Sequence, residues 1–263
     1  MQEKRLPVKT EYYTDETADE FSSAVIIPKK IDGDYRYIRD GFFGRLARFI
    51  CYRLLATPLA WLYCKCKLKW KVKNRQVLKG VKGGYFLFAN HTQETADAFI
   101  PSLACMPKKV SIIVHANNVS MPVMGKITPY MGALPLPDTL QAAKNFKAAI
   151  ALRYGQGHCI AIYPEAHIWP YYIGIRNFSA KSFRYPVEYN APCFVMTTTY
   201  QKRRRGIKPK AVTYLDGPFY PDKDLPAKEQ AQRLRDKVCE TMRSRAALSN
   251  CEYIAYRPKE QEE

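Results

Sequence analysis

Six short apolar runs, separated by polar or helix-forming sequence, restrict this chain to few architectures. They are Tyr85–Ala89, Val110–His115, Ala133–Leu136, Cys159–Tyr163, Cys193–Tyr200 and Ala211–Leu215, and each has the length of a strand. Between them the period changes to that of a helix. Residues 139–154 place Leu140, Ala143, Phe146, Ile150 and Tyr154 on one side, and Gly155 stops the helix. Asp138 is the expected N-cap, with Gln141 in the capping-box position. A last helix, from Pro226 to about residue 247, turns Ala231, Leu234, Val238, Met242 and Ala246 inward, with Pro226 in its first turn. Strands alternating with helices predict an α/β layer architecture.

At 263 residues, with 47% hydrophobic side chains, the chain supports one sizeable domain with appendages. A net charge of +18 implies an anionic partner: nucleic acid, acidic lipid, an acidic carrier protein or a phosphorylated substrate. The eight cysteines are scattered, and Cys64 and Cys66 form a C-x-C rather than a C-x-x-C. They are expected to be reduced core residues of a cytosolic protein, and no metal site is expected. No secretory signal is read in the polar first residues. The longest apolar run, Phe49 to Cys64, has 16 residues and is interrupted by Arg53 and Pro58. That falls short of the ~20 residues that span a bilayer. A chain of this kind is soluble or lies on a membrane.

Three segments follow: a polar arm over residues 1–40, an amphipathic docking segment over 41–72, and the main domain over 73–263. In the second, Phe42, Phe43, Leu46, Phe49, Ile50 and Leu54 keep helical spacing, while Arg45, Arg48 and Arg53 fall largely outside that stripe. Pro58 is expected to end or kink this helix. Residues 64–73 then alternate lysine with apolar residues, from Cys64-Lys65 to Val72-Lys73, as a strand would. Two readings stand for them: an edge strand protected by lysine, and a cationic plate facing lipid headgroups or an acidic partner. The run Gln201 to Lys210 reads as a basic loop between two strands, available to anionic lipid or to an acidic carrier protein.

Two strands end in polar knots. After Ala89 come Asn90, His91 and, six residues past the histidine, Asp97; after Ile162 come Tyr163, Pro164, Glu165, Ala166 and His167. A histidine with an acid that orients it is a general base of the kind that deprotonates a hydroxyl or amine attacking an acyl carbonyl. Open α/β sheets build their sites at the carboxyl edge of the strands, where both knots fall.

These residues resemble the PlsC family of glycerolipid acyltransferases, the 1-acylglycerol-3-phosphate acyltransferase group. Asn90-His91 with Asp97 resembles the N-H-x4-D block, with five intervening residues here instead of four, and Glu94 as a second possible partner. Met121 to Lys126, followed by Met131-Gly132-Ala133-Leu134-Pro135, resembles the second block. Tyr163-Pro164-Glu165 resembles the start of F-P-E-G-T-R, and Ala191-Pro192-Cys193-Phe194-Val195 resembles the V-P-I-x-P strand. The resemblance covers roughly residues 73 to 218.

It implies a mixed, mostly parallel sheet flanked by helices, with an N-terminal amphipathic helix on the inner face of a membrane. It further implies transfer of a fatty acyl chain from acyl-coenzyme A or acyl carrier protein to a lysophospholipid-like acceptor, without metal or resident cofactor. His91 is then the base and Asp97 its partner. Glu165, His167, Lys126 and Arg176 are expected at the substrate, and the Gly125-Lys126 turn is expected to supply N–H groups to the oxyanion. The family's phosphate-gripping arginines are replaced by Asp138 and by Ala166-His167-Ile168. Arg176, Lys181 and Arg184 are candidate replacements; otherwise the acceptor carries no phosphate. The competing readings are an inactive lipid-binding relative and a nucleic-acid binder. The second lacks a zinc knuckle or an aromatic RNA-binding signature, so no nucleic acid is expected.

Overall fold

The computed structural model of the protein describes residues 7–22, 26–39, 41–122 and 124–259. In chain order its elements are β1 (Lys9–Tyr13), α1 (Phe42–Arg48), a π-helical stretch (Phe49–Ala56), α2 (Thr57–Cys66), β2 (Lys71–Lys73), β3 (Tyr85–Ala89), α3 (Ile100–Ala104), β4 (Val110–Val114), α4 (Asn117–Ser120), α5 (Met124–Ile127), β5 (Ala133–Pro135), α6 (Leu140–Gly155), β6 (Cys159–Ile162), α7 (Arg184–Glu188), β7 (Cys193–Gln201), β8 (Lys210–Phe219), α8 (Ala227–Ala246) and β9 (Ile254–Pro258). Seven strands form one sheet in the order β2-β8-β7-β3-β6-β4-β5. The five strands from β7 to β5 are mutually parallel, and β8 runs antiparallel to β7. This is the mixed, mostly parallel sheet flanked by helices that the sequence implied.

The central strand β3 is apolar throughout because both of its faces are covered. Phe86 and Phe88 enter a core with Phe146 and Ile150 of α6 and with Leu234, Val238 and Met242 of α8. Tyr85, Leu87 and Ala89 enter the opposite core, with Cys64 of α2, Ile100 of α3 and Trp70. The stripe expected on α8 is the buried one. On α6 it is rotated: Ala142, Phe146, Ala149 and Ile150 are buried, whereas Leu140 in the first turn faces solvent.

Three local expectations are corrected. Thr139, not Asp138, caps α6, its hydroxyl accepting from the Ala142 N–H at 3.2 Å; Asp138 instead accepts from the Ile31 N–H at 2.7 Å. Of the two outcomes expected at Pro58, an end or a kink, the helix does not end there. Proline removes the N–H that an α-helix sends four residues back, and the wider π-helical turn ahead of it lets the chain continue to Cys66. Within that turn the Thr57 hydroxyl donates to the Tyr52 carbonyl at 2.6 Å. The alternating run over residues 64–73 is not one strand. Cys64 and Cys66 end α2, Lys69 takes a left-handed backbone (φ 49°), and only Lys71–Lys73 pair, parallel to β8. The junction expected between the docking segment and the main domain thus falls inside β2.

The amino-terminal arm is bound to the domain. β1 pairs in parallel with β9 from the far end of the chain, and Phe21 packs edge-on against Trp169 and Tyr256. The stretch from α1 to α2 is held by Ala60 and Cys64, both buried, and by Arg53, which donates to the Pro107 carbonyl at 3.0 Å. Its other side is bare: Phe42, Phe43, Leu46, Phe49, Leu54, Leu55, Leu59, Trp61 and Leu62 are all exposed, Phe43 at 81%. The side chains of Arg45 and Arg48 lie outside the described residues. No helix among the described residues is long and apolar enough to cross a membrane.

Candidate active site

β3 and β6 are neighbours in register, Phe88 opposite Ile162, so the chain leaves both strands at the same edge of the sheet. Asn90 fixes the first exit. Its amide nitrogen donates to the Thr198 carbonyl at 3.0 Å and its amide oxygen accepts from the Thr198 N–H at 2.8 Å, tying the end of β3 to β7. His91 follows. Its Nδ1 lies 2.9 Å from Oδ2 of Asp97, and the same oxygen accepts from the Thr92 and Gln93 N–H groups at 2.8 and 2.9 Å. An oxygen that accepts from two amides acts as acceptor toward the ring as well, so the ring proton sits on Nδ1 and Nε2 carries the lone pair. The Asp97 side chain is 2% exposed and the His91 side chain 17%, which leaves the imidazole the wet member of the pair. The five intervening residues are absorbed by a 3-10 turn at Ala96–Ala98, begun by a hydrogen bond from the Asp97 N–H to the Gln93 carbonyl. Glu94 is exposed on that loop, and the carboxylate on the ring is that of Asp97.

The second knot fixes the first. Glu165 is buried; its Oε2 accepts from the His91 N–H and its Oε1 from the Arg176 N–H, each at 2.8 Å. Burial pushes its carboxyl above the ordinary value, opposed by the Arg176 guanidinium 3.9 Å away and by those two amides. Burial likewise lowers Arg176, whose neighbour Glu165 resists the change. The Tyr163 ring stacks on His91 with centroids 4.4 Å apart, and its hydroxyl donates to the Asp97 carbonyl at 2.5 Å. Burial, aided by Asp97, raises that phenol well above its usual range, so it stays protonated as this bond requires. Behind the pair, the Tyr200 hydroxyl meets Thr92 Oγ1 at 2.8 Å and Gln93 Nε2 at 2.9 Å. A base held from both sides in this way can take one proton at one place.

No family model and no curated relative matches the sequence. Among solved structures the chain is similar to the 1-acyl-sn-glycerophosphate (LPA) acyltransferase PlsC from Thermotoga maritima. The TM-score is 0.54 at 14% identity, covering 78% of this chain and 89% of that one. The fold is PlsC-like.

Within this PlsC-like fold the remaining expected site residues separate. Arg176 is 1% exposed, and its guanidinium is taken up by the His167 carbonyl, the Glu16 carbonyl and the Trp169 ring. It locks the Glu165 loop and cannot grip a substrate phosphate, which corrects its assignment. His167 is half-buried, its Nδ1 3.4 Å from Glu20 of the arm. Lys126 is exposed on α5, after β4. The Gly125 N–H is spent on the Met121 carbonyl at 2.8 Å and is not free for an oxyanion. A side-chain carbon at Gly125 would lie 2.5 Å from the Val119 carbonyl oxygen, so glycine there serves packing of α5 on α4. Val123, in the same block, lies outside the described residues.

Several residues that hold the pair were assigned no such part from sequence. Tyr163 carried a signal, being an aromatic at the strand end two residues before Glu165. Thr92, Gln93 and Tyr200 act through backbone amides and a contact 108 residues distant in sequence, for which no local pattern exists. The arm adds the Asp19 carbonyl, which accepts from the Trp169 indole at 2.8 Å, and Glu20, which accepts from the Ile168 N–H at 3.0 Å.

Proposed function

We propose that this chain is a peripheral membrane acyltransferase that transfers a fatty acyl group from acyl-coenzyme A or acyl carrier protein to the hydroxyl of a lysophospholipid-like acceptor. The observation that carries the reading is the His91–Asp97 pair at the carboxyl edge of β3, with Nδ1 on the carboxylate and Nε2 without a hydrogen-bond partner among the described residues. His91 takes the hydroxyl proton as the acceptor oxygen attacks the thioester carbonyl. The tetrahedral adduct collapses, the carbon–sulfur bond breaks, and the imidazolium returns its proton to the departing thiolate. The products are an ester and a free thiol, with no acyl-enzyme. Asp97 keeps the imidazole in the right tautomer and stabilises the imidazolium as it forms, the division of labour of a Ser-His-Asp triad without its serine. Glu165 is a positioning residue, acting through the His91 backbone.

The bare apolar side of the α1–α2 stretch supports a seat on a membrane, and the soluble thioester donors favour the cytoplasmic face. A second acceptor class is favoured by one observation. Arg176 is enclosed and Ala166-His167-Ile168 bring no arginine, so a hydroxyl or amine lipid without phosphate fits the site as described. The test is acyl transfer from labelled acyl-coenzyme A and acyl carrier protein to paired acceptors, 1-acylglycerol-3-phosphate against 1-acylglycerol and a long-chain amine. Turnover on the phosphate acceptor alone supports the first class, and turnover on the uncharged acceptors supports the second. Turnover on none of them removes the enzymatic reading.

A further inference from the structure

At the opposite edge of the sheet, where β4, β5 and β6 begin, the described residues line a half-open cavity of about 680 Å³. That edge is separated from the His91 site by the length of β6, the four residues Cys159–Ile162, or about 13 Å at ~3.3 Å each. Arg53, Lys109 and Arg153 line it, His158 sits in its wall, and none of the described lining residues is acidic. The site is built rather than incidental. Arg153 and His158 are 4% and 6% exposed; Arg153 donates to Gln156 Oε1 at 2.9 Å, and His158 Nδ1 lies 3.1 Å from the Ser111 hydroxyl. Arg39 lies over the ring of the lining residue Tyr130, 5.3 Å from its centre.

We propose that this cavity binds the phosphate headgroup of an anionic lipid, at a site separate from that of the acceptor. Charge calls for an anion, and the position of the cavity selects a lipid. One wall is the π-helical stretch, and Phe49 both lines the cavity and is 55% exposed on the bare apolar side that continues through Leu54 and Leu55. An occupant with its phosphate on Arg53 and Lys109 runs its hydrocarbon out along that side. A site of this kind fixes the rotation of the α1–α2 stretch on the membrane, which apolar contact alone does not. The inference rests on the membrane reading above for its setting, and its test separates the two.

Dihexanoyl phosphatidic acid, a water-soluble anionic lipid with no free hydroxyl or amine to acylate, is titrated by calorimetry into full-length protein. The panel is wild type, Arg53→Gln/Lys109→Gln, the exposed single change Lys109→Gln, and Lys202→Gln/Arg204→Gln as an equal-charge control; melting without ligand checks that each is folded. Wild type and the control are expected to bind one lipid per chain. The double variant is expected to bind on the order of tenfold more weakly, the worth of a lost charge-assisted contact, with Lys109→Gln between them. No binding by wild type, or equal loss in the control, overturns the site. Inorganic phosphate that displaces the lipid at equal concentration overturns the lipid assignment in favour of a free-anion pocket. Sedimentation with phosphatidylcholine vesicles, with and without phosphatidylglycerol, completes the test. Binding of the soluble lipid without retention on either vesicle supports the cavity and overturns membrane docking.

Discussion

Replacing Asp97 with asparagine separates orientation from charge at the candidate base. All three hydrogen bonds of the Asp97 carboxylate converge on one oxygen, from His91 Nδ1, the Thr92 N–H and the Gln93 N–H, while Oδ1 is buried with no hydrogen-bond partner among the described residues. Asparagine therefore has one sensible placement, with its carbonyl oxygen where Oδ2 lies, because the flipped amide would point N–H at three donors. The imidazole keeps its tautomer and direction and loses the negative charge opposite the imidazolium formed during transfer. A hydrogen bond to a charged group is worth about 1–2 kcal/mol more than a neutral one. The rate should fall by roughly 5–30-fold, well short of the ~10²–10⁴-fold loss expected of His91→Ala. The amide nitrogen, placed in the Oδ1 position without a partner, should also lower stability by about 1–3 kcal/mol. The assay is kcat/KM for acyl transfer beside a urea titration of each variant. An Asp97→Asn enzyme as slow as His91→Ala contradicts the retained orientation, and one as fast as wild type contradicts any role for the charge.

Glu165→Ala should cost about 3–5 kcal/mol in urea unfolding, because it strands the buried Arg176 charge together with two amides. Burial raises the Glu165 carboxyl, so the folded state keeps its proton to higher pH than the unfolded chain. Stability from this group is therefore fullest below the ordinary value of 4.5 and is lost as pH rises through the raised value. The stability of wild type minus that of Glu165→Gln should fall across that window, and a flat difference refutes the assignment. Asn90→Ala leaves the Thr198 N–H and carbonyl without partners and should cost about 2–5 kcal/mol, measured by the same titration. Leu54→Gln, Leu59→Gln and Leu62→Gln together remove three half-exposed leucines worth about 1 kcal/mol each on burial in lipid. Vesicle retention should drop on the order of a hundredfold while the melting temperature holds; unchanged retention argues against docking through this side.

The sheet was legible because strands buried on both faces, such as β3, are apolar without interruption, and α8 because its stripe survives in a polar surround. The run over residues 64–73 misled for a physical reason. Cys64 and Leu68 stand at helical spacing, Leu68 and Trp70 at strand spacing, and alternate lysines suit either; the switch at Lys69 is a backbone event without a composition. β1 was missed because it is half-exposed and its partner strand, β9, lies more than 200 residues away along the chain. The same limit governs the site. His91, Asp97 and Glu165 announce themselves near strand ends, whereas the enclosure of Arg176 also depends on the arm, whose Glu16 carbonyl meets it from 160 residues away.

The central claim is that His91 is the base of an acyl transfer, and it is tested most directly by comparing wild type with His91→Ala at matched folding. The reading is labelled ester formed from acyl-coenzyme A on an acceptor that wild type uses. A loss of ~10²–10⁴-fold with unchanged urea midpoint and vesicle binding is the predicted result. Equal turnover by the two proteins contradicts the account.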